Sequence, residues 1–390
     1  MQIADAVVRL RPLTLVDEGD DVLVGDPESG NYVAIPAVGA VVIRALQRGD
    51  TVASAAAEAE RAVGEPVDVA AFVDALRELG FVADDSAQGP SRTAVVQQRR
   101  WAGGPAPERV RPLFSRVAWL IYAGAFVFCV ACFVARPDLW PRGRDVFVVD
   151  DYDLSLFIMM PLSALLASLH ETWHWLAARA EGVTARFGLD RRLFFPVVET
   201  DLSQLWSLPR RRRYGPQLAG MALDAVLLAV FLGVELAYDA PRTVRCLVFL
   251  QVTQFLWQSM IFMRTDVYGV FVTATGCRNL WEVKSLLLRR AFRRLSPVEE
   301  GRLAEADPRD VRIGGWFRWV YLAGVLVAVG YFVLFFLPGV SAVLRWAGRE
   351  LTMGPWHGGF WRALAAVVLI CWSPLMAGVL TVVAAIRRDR

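Results

Sequence analysis

The chain has 390 residues, 55% of them hydrophobic and only 21% charged, with a mean hydropathy of +0.39. That is too apolar for a soluble globular protein of this size, so membrane residence is the first inference. The net charge of +3, from 42 basic residues (all but one Arg) and 39 acidic ones, singles out no charged partner, and five cysteines in apolar surroundings exclude a disulfide scaffold.

The charge is unevenly placed. Residues Met1 to Pro90 hold 16 acidic residues and 6 Arg, a net of −10, so the other 300 residues carry +13. No basic segment followed by an apolar core opens the chain, so the acidic block is expected to stay on the cytosolic side. Alternating runs at Val7 to Leu13, Asp21 to Gly25 and Asn31 to Ile35 predict three strands separated by turn residues. Helical patterns follow at Ala37 to Gln47, Val52 to Val63 and Val67 to Leu79, the last stopped by Gly80. Strands followed by three short helices suggest a small α+β winged-helix domain over residues 1–85. A net of −10 would repel phosphate, so no nucleic-acid partner is expected and a peptide partner fits better. The order of elements, with Gly30-Asn31-Tyr32 running into a helix start and a last helix bearing Phe72, Leu76 and Leu79, resembles the PqqD-like recognition domains. In those domains the leader of a ribosomally made peptide adds a strand to the sheet edge. A Gly/Pro/Arg-rich linker, 86–112, separates this block from the membrane domain, 113–390.

Six stretches are long enough to cross a bilayer: Val117 to Ala135, Leu154 to Ala178, Tyr214 to Val234, Cys246 to Met263, Trp319 to Leu337 and Ala363 to Ile386. The fold class expected is thus a mostly α, multi-pass cell-membrane protein, with the lipid bilayer as its partner and the small α+β domain at its N-terminus. Flanking basic residues number 28 on one side and 8 on the other, which puts both termini in the cytoplasm. The run Arg210 to Arg213 reads as part of that topological anchor. Cys129 and Cys132 form a C-x-x-C within an uncharged run and read as lipid-facing packing.

Only three histidines occur, and two of them lie in Leu169-His170-Glu171-Thr172-Trp173-His174, an H-E-x-x-H inside the second span. Residues four apart share a helix face, so both imidazoles can reach one ion while Glu171 projects toward a bound water as general base. A catalytic Zn2+ takes three protein ligands and keeps one position open. His357 falls in an external loop, which leaves two acids for the third ligand: Asp224 in the third span and Asp266 after the fourth.

These residues resemble the site-2-protease-type intramembrane zinc metalloproteases over Leu154 to Asn279, the core of the membrane domain being 154–280. Ala219-Gly220 with Asp224 looks like the small-residue element of that family's middle span, and Arg264-Thr265-Asp266-Val267-Tyr268 like its Asp-Gly element, with Val267 in place of the Gly. The resemblance implies metal ligands His170, His174 and Asp266, with Glu171 as catalytic acid/base and Asp224 in packing or in support of a ligand. Two short strands, Val183 to Gly188 and Leu193 to Asp201 around Asp190-Arg191-Arg192, are expected to form a hairpin able to pair with an extended substrate. With the Asp266-Val267-Tyr268-Gly269 and Thr275-Gly276-Cys277-Arg278-Asn279-Leu280 segments, the chain is most similar to the peptide-maturation metalloproteases of daptide-type pathways. Removal of a leader from a precursor peptide is the function this implies. Cleavage of a membrane-bound anti-sigma factor, or a non-enzymatic peptide exporter or immunity protein, are the alternatives.

Overall fold

The computed structural model describes all residues except 1–5, 20, 28–29, 84–103, 193–194, 240, 372–377 and 379–390. It is mostly helical, with one small sheet near the N-terminus and one hairpin. Internal contacts divide it into two units: Met1–Phe114 with His174–Gly188 and Thr200–Pro216, and Ser115–Trp173 with Leu189–Glu199 and Gln217–Arg390. The division passes through two continuous helices.

In the first unit, β1 (Thr14–Glu18), β2 (Asp21–Asp26) and β3 (Asn31–Pro36) form an antiparallel sheet in chain order, and α1 (Ala37–Gln47), α2 (Val52–Val63) and α3 (Val69–Glu78) follow. Two of these helices begin at side-chain caps: Thr51 accepts from the Ser54 N–H and Asp68 from the Ala71 N–H. Gly80, at φ +74°, takes the left-handed conformation just after α3. Ile43, Val24, Ile35, Leu76 and Phe81 are buried together, and Val42, Leu46, Val52 and Val73 make a second cluster. The first strand lies later than the alternation predicts. Val7 and Leu10 make only single bridges, to Thr51 and Val82, and Pro12, which has no N–H to donate, separates them from the true strand. Within the linker, 104–112 is not structureless: Pro107–Val110 forms a helical turn and Val110 is buried.

The same unit holds β2 against the turn Ser203–Ser207. The Gln204 amide donates to the Pro27 carbonyl at 2.8 Å. Arg213, 2% exposed, pairs with Glu18 at 2.5 Å and donates to the carbonyls of Leu208 and Trp206. Gly25 is where Tyr32 lies closest, since a Cβ there would sit 2.0 Å from the ring. Burial pushes the Tyr32 phenol up to about 12.

In the second unit, α4 (Arg116–Ala135) packs Cys129, Cys132 and Phe133 against Leu228 and Leu232 of α6 (Arg210–Ala237) and Val248 of α7 (Arg242–Ser259). The two cysteines therefore face neighbouring helices rather than lipid; all five cysteines are free. Between α4 and α6 lies α5 (Tyr152–Ala180), followed by β4 (Arg186–Arg192) and β5 (Phe195–Asp201). The hairpin exists, but Asp190 to Arg192 belong to β4 instead of forming its turn, and 193–194 lie outside the described residues. Beyond α7 come α8 (Asp266–Thr275), α9 (Leu280–Phe292), α10 (Pro297–Ala304), α11 (Pro308–Tyr331) and α12 (Leu337–Thr352).

Among the described residues, three helices are long and apolar enough to cross a membrane: α4, α6 and the stretch Pro308–Leu334 that begins with α11. The expected second and fourth spans do form helices, α5 of 29 and α7 of 18 residues. They carry the His170-Glu171-His174 and Gln251-Gln254-Gln258 groups, which lower their apolarity. Most of the sixth expected span, from 372 on, falls outside the described residues apart from Gly378.

Candidate metal centre

The inner part of α5 brings His170 and His174, at i and i+4, to one face of the helix, and both are buried. Each ring is oriented through Nδ1. His170 Nδ1 lies 2.7 Å from Asp224 Oδ2, and His174 Nδ1 lies 2.7 Å from the Pro216 carbonyl oxygen. A carbonyl only accepts, so His174 Nδ1 carries the proton and its lone pair is on Nε2. Asp224, as a carboxylate, selects the same tautomer at His170.

Asp266 opens α8. The chain reaches it through a tight turn: α7 ends at Ser259, a 3₁₀ turn covers Ile261–Met263, and Arg264 takes φ +58°. This turn carries Asp266 back to α5, where its Oδ2 lies 2.9 Å from His170 Nε2. The ligand atoms of His170, His174 and Asp266 all lie within 4.8 Å of one another, so this group can hold a metal ion.

The hydrogen-bond chemistry is compatible with a cation. With Nδ1–H given to Asp224, His170 Nε2 and Asp266 Oδ2 face each other as two electron-pair donors at 2.9 Å. The Gln258 amide settles which tautomer fits. Its Oε1 accepts from the Asp266 N–H at 3.1 Å, so its NH2 is the group 3.1 Å from His170 Nε2, which fits an unprotonated nitrogen there. Tetrahedral ligands about 2.0 Å from a zinc sit about 3.3 Å apart, near the 2.9 Å between His170 Nε2 and Asp266 Oδ2. Two imidazoles and a carboxylate also form a donor set suited to zinc.

Glu171, next to His170 on α5, is half-buried and about 100° farther round the helix. Asp224 sits at 0% exposure, and only its Oδ2 is engaged; Oδ1 has no hydrogen-bond partner. Gln217, at the start of the α6 portion in the second unit, donates to Thr273 at 2.9 Å and so fixes α8 against α6. His357 lies 3.2 Å from Glu350, not in this group. Two contributors escape the sequence reading. The Pro216 carbonyl is backbone and has no residue-type signal. Gln258 had one, since Gln251, Gln254 and Gln258 recur at helical spacing in an otherwise apolar stretch.

The Thr275 to Leu280 segment is structural. Gly276, at φ +70°, ends α8, and the buried Asp310 accepts from the N–H groups of Arg278 and Asn279 ahead of α9. No family model matches the sequence, and no curated protein or solved structure matches it.

Proposed function

We propose that the chain is an intramembrane zinc metalloprotease that removes the leader from a ribosomally made precursor peptide. The observation that carries the reading is the convergence of His170, His174 and Asp266 within 4.8 Å, with Glu171 beside the first of them on the same helix. A zinc ion held by these three residues would supply Lewis acidity toward the scissile carbonyl and toward the attacking water. The remaining work belongs to side chains. Glu171 takes the proton that the water loses and delivers it to the leaving amine nitrogen. Asp224 and the Pro216 carbonyl hold the two imidazoles in the tautomer that leaves Nε2 as donor.

Two features favour a peptide substrate captured before cleavage. The acidic N-terminal domain presents a three-stranded sheet whose β3 pairs on one side only among the described residues, and the β4–β5 hairpin offers a second pairing edge. In this reading the chain crosses the membrane six times, with both termini in the cytoplasm. The test uses the full chain in lipid nanodiscs with short peptides encoded beside its gene, and product masses read by mass spectrometry. The wild type is expected to cut one of them at a single bond, and Glu171→Gln to lose cleavage by at least a hundredfold with its metal retained. Cleavage by Glu171→Gln at the wild-type rate would refute the mechanism.

A further inference from the structure

Gln258 occupies a position that the proposed chemistry does not by itself require. It lies at the C-terminal end of α7, 5% exposed, and both polar atoms of its side-chain amide are engaged toward the site. Its Oε1 accepts from the Asp266 N–H, its NH2 faces His170 Nε2 at 3.1 Å, and its carbonyl accepts from Thr265 Oγ1 at 2.7 Å. One side chain thus holds the backbone of one metal-binding residue and touches the ring nitrogen of another. The NH2 stands as far from His170 Nε2 as a fourth tetrahedral ligand would, but an amide nitrogen has no lone pair to offer a metal.

We infer that Gln258 is a positioning residue of the metal centre: it sets Asp266 through the backbone N–H, and its neutral NH2 borders the fourth coordination position and keeps it open. The inference rests on the metal reading above. It accounts for an amide here, where the isosteric glutamate would place an anionic oxygen in the same spot. It also accounts for the Thr265 hydroxyl, which fastens the turn between Gln258 and Asp266.

The direct test is metal binding by the purified full chain, with Zn2+ affinity from chelator competition and coordination from the visible spectrum of the Co2+ form. Gln258→Leu removes both contacts and should weaken Zn2+ binding by about ten- to a hundredfold, the range found for residues that support metal ligands. Gln258→Glu keeps the acceptor for Asp266 and offers a fourth ligand. It should bind Zn2+ at least tenfold more tightly, shift the Co2+ spectrum and lose peptide cleavage. A purely structural glutamine would leave the Co2+ spectrum of Gln258→Glu unchanged. Wild-type affinity and spectrum in both variants would overturn the inference while leaving the metal centre standing. A wild type that binds neither ion would overturn both.

Discussion

At the scale of single residues, the membrane-level acid Asp224 carries the clearest consequence. A fully buried carboxylate inside an apolar helix is costly unless it does something, and here it receives the His170 N–H. Asp224→Asn keeps a hydrogen-bonding group of the same shape but loses the charge that faces the His170 N–H. Zinc affinity is expected to fall about tenfold, measured by chelator competition. The buried ion pair of Arg213 and Glu18 behaves differently. Glu18→Ala leaves an uncompensated guanidinium and should destabilise the N-terminal domain by on the order of 2 kcal/mol, seen as faster limited proteolysis, while Glu18→Leu with Arg213→Met should recover most of it. Such residues differ in how far the sequence shows them. His170, Glu171 and His174 are legible because their spacing is the chemistry. Asp224 and Asp266 are legible as candidates, because ionisable groups are rare in apolar stretches. The Arg213 partner is not, since a run of four arginines reads as a topological anchor and only the folded chain selects the one that turns inward.

Among elements, the turn from α7 to α8 and the pair α9 and α11 repay attention. Arg264 adopts φ +58°, where a glycine would be easier, and its guanidinium stacks 5.4 Å from the Trp281 ring centre. Lys284, the single lysine of the chain, lies 3.7 Å from the Trp281 ring centre and 3.3 Å from that of Tyr321, fastening α9 to α11. Burial, with Arg264 nearby, pushes its amine down to about 8 from the usual 10.5. Between these values the unfolded chain holds a proton that the folded chain has lost, so stability from this group rises with pH over that window. Thermal unfolding in detergent at pH 8 and pH 10 should show this rise in the wild type, and Lys284→Met should lack that share of it. The elements differ in how clearly the sequence marks them. Helices α1 and α2 begin and end where periodicity places them: Pro36 precedes α1 and Gly49 follows its C-cap, while the Thr51 cap and Gly64 bound α2. Alternation over Val7 to Leu13 predicts β1 too early, because Val7 and Leu10 make only single bridges and Pro12 separates them from the strand that begins at Thr14.

For the whole molecule, the basic residues that flank the expected spans, 28 on one side and 8 on the other, give an expected topology that can be checked without any substrate. Reporter fusions ending near Asp138 and Asp239 are expected to lie outside the cell, and those ending near Gly182 and Arg293 inside; the opposite pattern would remove the basis for a cytosolic peptide-recognition domain. Among the described residues hydropathy finds three apolar helices, and the group that could hold a metal draws its two histidines from α5, which is not one of them. The claim on which everything else depends is that the buried group at the end of α5 holds a metal through Asp266. Zinc content per purified chain, compared for the wild type, Asp224→Ala and Asp266→Ala at equal total zinc, tests it most directly. The account predicts about one zinc in the wild type, reduced occupancy in Asp224→Ala and almost none in Asp266→Ala. Full occupancy in Asp266→Ala would contradict it.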